Sequence, residues 1–185
     1  MSKRPVKSET ALLEQWRVAL QNAQAQTEIK KELEELDKKT PVRVTVVSND
    51  WASFTRLQNA VKITVDYIPW SLDVVYRIAP NFDCVVLPNA MNRFSKGKSA
   101  NRTFLSLSLG LPVVATRTSE LEKLNHCVLF DDWVSSIEKY GDKSDEGLKR
   151  AHLEAFNSKY TGSVHYPKNV WLRWESTFES LAPAK

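Results

Sequence analysis

Between Cys84 and Ser119 the sequence holds no aspartate or glutamate, yet it carries five bases: Arg93, Lys96, Lys98, Arg102 and Arg117. The formal net charge is +4, so the rest of the chain stands close to neutral, at −1. A long polyanion favours a broad basic face, whereas an island of cations in a neutral chain fits a small anionic ligand, best of all a phosphate group. Nucleic acid is therefore not the expected partner. The island also contains a helix start, because Ser99 is a good N-cap and Asn101 and Arg102 fall in the first turn behind it. An anion held there would meet open backbone N–H groups, the positive end of the helix dipole, and the side chains of Lys98 and Arg102.

Other reactive residue types are sparse. His126 abuts an apolar run, and His152 and His165 lie in the helical tail; none has a carboxylate or cysteine at ligand or triad spacing, so no metal site is expected. Cys84 and Cys127 sit inside apolar, strand-like runs and read as core residues. Neither a GxGxxG fingerprint nor a GxxxxGK[ST] loop occurs.

The elements that must position the basic loop alternate. Residues 10–39 carry strong helix formers with apolar residues at three and four spacing, and predict one long helix or two. Beyond Pro41 the runs predict strands at 42–48, 63–68, 84–87, 112–116 and 127–130. Helices are predicted between and after them at 50–61, 72–79, 99–109, 120–124, 133–140, 146–160 and 170–181, the last with Trp171, Trp174 and Phe178 on one stripe. Runs such as CVVL and PVVA are apolar on both faces, as in a parallel sheet covered on each side. The expected fold class is doubly wound α/β, a Rossmann-like parallel sheet of five or more strands with an N-terminal helix and a C-terminal helical tail. In such sheets a ligand sits at the carboxyl ends of the strands, near the switch point. The candidate loops are then 49–51, 69–71, 88–99, 116–120 and 131–133. A phospho-receiver domain shares the alternation but needs an aspartate closing the third strand and a lysine after the fifth, where this chain has Pro88-Asn89 and Asp131-Asp132.

The run Lys98-Ser99-Ala100-Asn101-Arg102, followed by Leu109-Gly110-Leu111-Pro112-Val113-Val114-Ala115-Thr116, resembles the donor-binding segment of GT-B-fold glycosyltransferases of the group 1, family 4-like kind. Tyr67-Ile68-Pro69-Trp70-Ser71, the run from Phe82 to Pro88, and Asp132-Trp133 stand in the order of similar pieces in that group. The resemblance runs from about Val42 to Leu181. It implies a C-terminal, nucleotide-sugar-binding half at residues 41–185, preceded by an N-terminal helical segment at 1–40. It implies a glycosyl transfer activity, in surface polysaccharide or glycoconjugate synthesis, with no cofactor and no metal. The donor contacts it implies are Lys98 and Arg102 on the diphosphate, Ser99 and Asn101 hydrogen-bonded to it, Trp70 against the base, and Asn49 and Thr118 from neighbouring loops. The acidic pair that many members carry is replaced by Gly97 and Leu105.

Length bounds the rest. With 185 residues the chain has room for one domain and leaves none for an acceptor-binding half. An acceptor-domain protein, or a second copy docking through the C-terminal aromatic helix, is the expected protein partner. The alternative function is a non-catalytic α/β module that keeps the phosphate site and uses the aromatic stripe to dock. No apolar run is long enough to span a bilayer and the N-terminus lacks an apolar signal core, so a cytoplasmic location is expected.

Overall fold

The computed structural model describes residues 16–20, 29–89 and 100–161. Six strands and seven α-helices alternate within them. They are β1 (Trp16–Leu20), α1 (Lys30–Lys39), β2 (Val42–Ser48), α2 (Trp51–Ala60), β3 (Thr64–Pro69), α3 (Leu72–Ile78), β4 (Cys84–Leu87), α4 (Asn101–Ser108), β5 (Val113–Ala115), α5 (Ser119–Glu122), β6 (Val128–Phe130), α6 (Trp133–Gly141) and α7 (Gly147–Tyr160). A 3-10 turn at Ala79–Asn81 follows α3. The aromatic stripe of Trp171, Trp174 and Phe178 lies outside the described residues, as do His165, Arg93, Lys96, Gly97, Lys98 and Ser99.

Strands β2 and β3 pair, and β4, β5 and β6 form a second group. Between the groups lies β1, bonded to β2 in the register Trp16↔Val42 and to β4 in the register Val18↔Cys84. It joins them in the order β3-β2-β1-β4-β5-β6, with all pairs parallel. This is the strand order of the doubly wound dinucleotide-binding sheet, whose order reverses between β1 and β4.

The helical reading of residues 1–40 is corrected at Trp16–Leu20, which is a strand rather than part of a helix. Trp, Arg, Val, Ala and Leu suit either period in a window of five. The ladders that β1 makes on both edges are non-local, so no local pattern announces them. From the original helix the part at Lys30–Lys39 remains, with Leu33 and Leu36 buried.

Alternation along each strand distributes the core over two faces. Val44, Val46, Val86 and Val114 point to one face and meet Ile29, Leu33 and Leu36 of the α1 segment, Phe54 and Leu57 of α2, and Ile137 and Tyr140 of α6. Val85, Leu87, Val113 and Ala115 point to the other and meet Leu107 of α4, Leu121 of α5 and Phe156 of α7. Every residue of β4 and β5 is buried, which explains their unbroken apolar runs. Cys84 and Cys127 are free and fully buried, as core residues. Burial pushes the Cys127 thiol up to about 11 and the Cys84 thiol further in the same direction.

Candidate functional site

The carboxyl ends of the strands carry five helix starts, and a sixth lies beyond β1. Four of them are closed by their own side chains. Asp50 Oδ1 accepts from the Ser53 N–H at 2.9 Å, Ser71 Oγ from the Val74 N–H at 3.2 Å, Thr118 Oγ1 from the Leu121 N–H at 3.3 Å, and Asp132 Oδ1 from the Ser135 N–H at 3.2 Å. Each satisfies one of the orphan donors that every helix start exposes. The two helices that follow β1 and β4 differ. The N-cap positions there are Ile29 and Ala100, and neither start has a side-chain cap. The backbone differs too, with ψ of 7° at Ile29 and 11° at Ala100 against 83° to 158° at the four capped starts. Strands β1 and β4 flank the switch point, so among these six the uncapped starts are the two beside it. The start of α7, at Glu146 with ψ of 5°, also lacks a side-chain cap, and the start of α1 holds an acid, Glu32, in its first turn behind the buried Ile29, which leaves the start of α4 as the open one beside the switch point that carries a cation and no acid.

At the start of α4 the expected N-cap, Ser99, is replaced by Ala100, and the helix begins at Asn101. Asn101 and Arg102 are exposed in its first turn, and Thr103 turns inward and is buried. Among the described residues no acid pairs with Arg102. Arg117 is different. Its Nε lies 3.4 Å from Asp131 Oδ2, its Nη1 lies 3.1 Å from Glu122 Oε1, and its guanidinium covers the Phe130 ring at 4.7 Å. Asp131, held in the left-handed region at φ 62°, also accepts from the Arg117 N–H at 2.9 Å. Arg117 is thereby neutralised at the ends of β5 and β6, and the basic island narrows toward the β4 loop and α4.

Asn49, Trp70 and Thr118 occupy three other strand ends. The Trp70 N–H donates to Asn49 Oδ1 at 3.0 Å and to the Ser48 carbonyl at 3.2 Å, so the loops after β2 and β3 are tied together. Thr118 is buried and spends its hydroxyl capping α5. The loops after β4 and β5 are also joined, by the Asn89 N–H donating to Thr116 Oγ1 at 2.8 Å. The structure therefore brings Asn101 and Arg102 together beside the switch point and pairs Asn49 with Trp70 two to three strands away. Thr118 stands on the opposite side of α4. The sequence reading reached Trp51, exposed at the start of α2, only as the end of the candidate loop 49–51, and it missed the uncapped start of α4; the absence of a capping residue at position 100 is visible only once the helix start is known.

Among the described residues no group of three His, Cys, Asp or Glu is placed to hold a metal ion. His152 Nδ1 lies 2.7 Å from the Tyr140 hydroxyl, and burial, reinforced by the charge of His126, lowers its pKa. Burial likewise lowers the pKa of His126, with Lys159 second. Both histidines belong to the packing around α6 and α7 and to no site at the strand ends. Among the described residues no helix is long and apolar enough to cross a membrane.

No protein-family model matches the sequence, and no curated protein is similar to it. Among solved structures the chain is similar to AviGT4, a glycosyltransferase involved in avilamycin A biosynthesis, at 13% identity and a TM-score of 0.46. The similarity covers 82% of this chain and 50% of that one, so the chain spans half the length of the protein it matches.

Proposed function

We propose that the chain binds a nucleoside-diphosphate sugar across the β1/β4 switch point and forms the donor-binding part of a glycosyltransferase. The observation that carries this reading is the start of α4, left without a side-chain cap beside the switch point and with no acid in its first turn. Asn101 and Arg102 stand exposed there, in a stretch of sequence without acids. Open N–H groups and the helix dipole favour a diphosphate there. Arg102 adds a forked cation that matches phosphate oxygens in pairs, and Lys98 adds a second charge from the preceding loop.

The same groups serve transfer. As the bond from the anomeric carbon to the diphosphate oxygen breaks and a bond to the acceptor oxygen forms, negative charge grows on the leaving diphosphate and the acceptor proton passes to a base. Arg102, Lys98 and the helix start would meet that growing charge, which is electrostatic stabilisation of the transition state. The donor side is then the sheet from β1 onward with its helices, including the strand and helix that precede residue 41.

Calorimetry with UDP, GDP, ADP and their sugars tests the reading. At least one binds, and Arg102→Ala weakens it by about 1.5 to 3 kcal/mol, the scale of a charged hydrogen bond. If none binds at millimolar concentration, the donor reading fails.

A further inference from the structure

Resting on that reading, we infer that Trp51 is the stacking platform for the nucleobase, and that the nucleotide therefore lies from α4 toward β2 and β3. Trp51 is 61% exposed at the first position of α2, where a tryptophan in water forgoes a large burial gain. Its ring does not hang free. It rests on Phe54 at 5.0 Å and meets Tyr67 edge-on at 4.9 Å and 89°. Phe54 is buried in the core, and the Tyr67 hydroxyl is fixed by donating to the Ser48 carbonyl. One face of an aromatic ring is thus held rigid and offered outward.

The direction follows from the strand order. From the start of α4, a bound nucleotide runs either over β5 and β6 or over β1 toward β2 and β3. On the first side the ends are filled by the Arg117, Asp131 and Glu122 ion pairs, Phe130 is covered by Arg117, and Thr118 is buried. Among the described residues that side offers no open aromatic face. On the second side Trp51 and Trp70 rise from neighbouring loops tied by Asn49, in a register that places Ser48 opposite Pro69. Two strand spacings separate the end of β4 from that of β2, about 10 Å along the sheet. Helices α4 and α2 pack on opposite faces, so a nucleotide that reaches Trp51 from the start of α4 crosses over the strand ends from one face to the other. Every base has a π face, so stacking supplies affinity with little choice among bases.

The test compares nucleoside diphosphates with inorganic pyrophosphate, which lacks a base, on the full chain and on its Trp51→Ala and Trp51→Phe variants. Trp51→Ala weakens the nucleotide about tenfold and leaves pyrophosphate unchanged, and Trp51→Phe recovers most of the loss. Thermal unfolding confirms that each variant is folded, as expected for a ring this exposed. Unchanged nucleotide affinity in folded Trp51→Ala overturns the inference and leaves the donor reading standing. Dissociation of a self-associated chain by Trp51→Ala, with nucleotide affinity unchanged, also overturns it and marks this face as an interface between copies. Failure of both pyrophosphate and nucleotides to bind the unaltered chain removes the donor reading and this inference together.

Discussion

Arg102 and Arg117 belong to one basic stretch of sequence, and the structure gives them different work. The guanidinium of Arg117 is divided between Asp131 and Glu122, so it stabilises the turn at the end of β6. Both partners are about half exposed, and such pairs contribute on the order of 0.2 to 1 kcal/mol. Arg117→Ala is therefore expected to lower stability by no more than about 1 kcal/mol in chemical unfolding and to leave nucleotide affinity unchanged, where Arg102→Ala does the reverse. A loss of affinity in Arg117→Ala equal to that in Arg102→Ala would place the ligand at the wrong end of the sheet. The histidines carry a second residue-scale expectation. His126 and His152 have folded-state pKa values below their ordinary 6.5, because burial disfavours the charged ring. The unfolded chain takes up protons near pH 6.5 and the folded chain only below it, so stability falls as pH drops through that range. Urea midpoints at pH 7 and pH 5 should show this loss, and His152→Gln should reduce it. A midpoint that rises at pH 5 contradicts the assignment.

Among the elements, β4 and β5 were legible because their residues are buried on both faces, and a run such as CVVL has few other homes. The helices after β2, β3 and β6 were legible as runs at 50–61, 72–79 and 133–140, and their caps Asp50, Ser71 and Asp132 show why they start there. The cap of α4 was misplaced by one residue, because Ser99 is intrinsically the better cap and the chain begins the helix behind Ala100. That difference makes a test. Placing an acid in the open helix start, as Ala100→Asp, puts a negative charge where the diphosphate is proposed to sit. Nucleotide affinity should fall at least tenfold, while stability changes little, since ψ of 11° at Ala100 is not the extended conformation that a capping side chain uses. The measurement is calorimetry beside thermal unfolding, and full affinity in folded Ala100→Asp would move the anion elsewhere.

Across the whole molecule, β1 is the strand the sequence concealed and the one the sheet depends on most. It bonds to β2 on one edge and β4 on the other, through pairings 26 residues apart at Trp16↔Val42 and 66 apart at Val18↔Cys84. Local patterns carry no trace of such contacts, whereas the five later strands announce themselves by β-branched or unbroken apolar runs. A chain beginning at Val42 leaves β2 with β3 and β4 with β5 and β6 as two groups with no shared ladder. Its unfolding in urea should lose the single cooperative transition of the full chain, and a transition unchanged in midpoint and slope would contradict the central place given to β1. The same strand creates the crevice, because the order reverses only where β1 meets β4. The central claim, that an anionic nucleotide lies in that crevice, is tested most directly by following backbone amide resonances of the full chain during titration with UDP, GDP or ADP. The amides of Asn101 to Thr103 should shift together and saturate with one affinity, while those of Leu121 and Ser135, closed by their own caps on the β5 and β6 side, remain in place. Shifts confined to the starts of α5 and α6, or none at the start of α4, would contradict it.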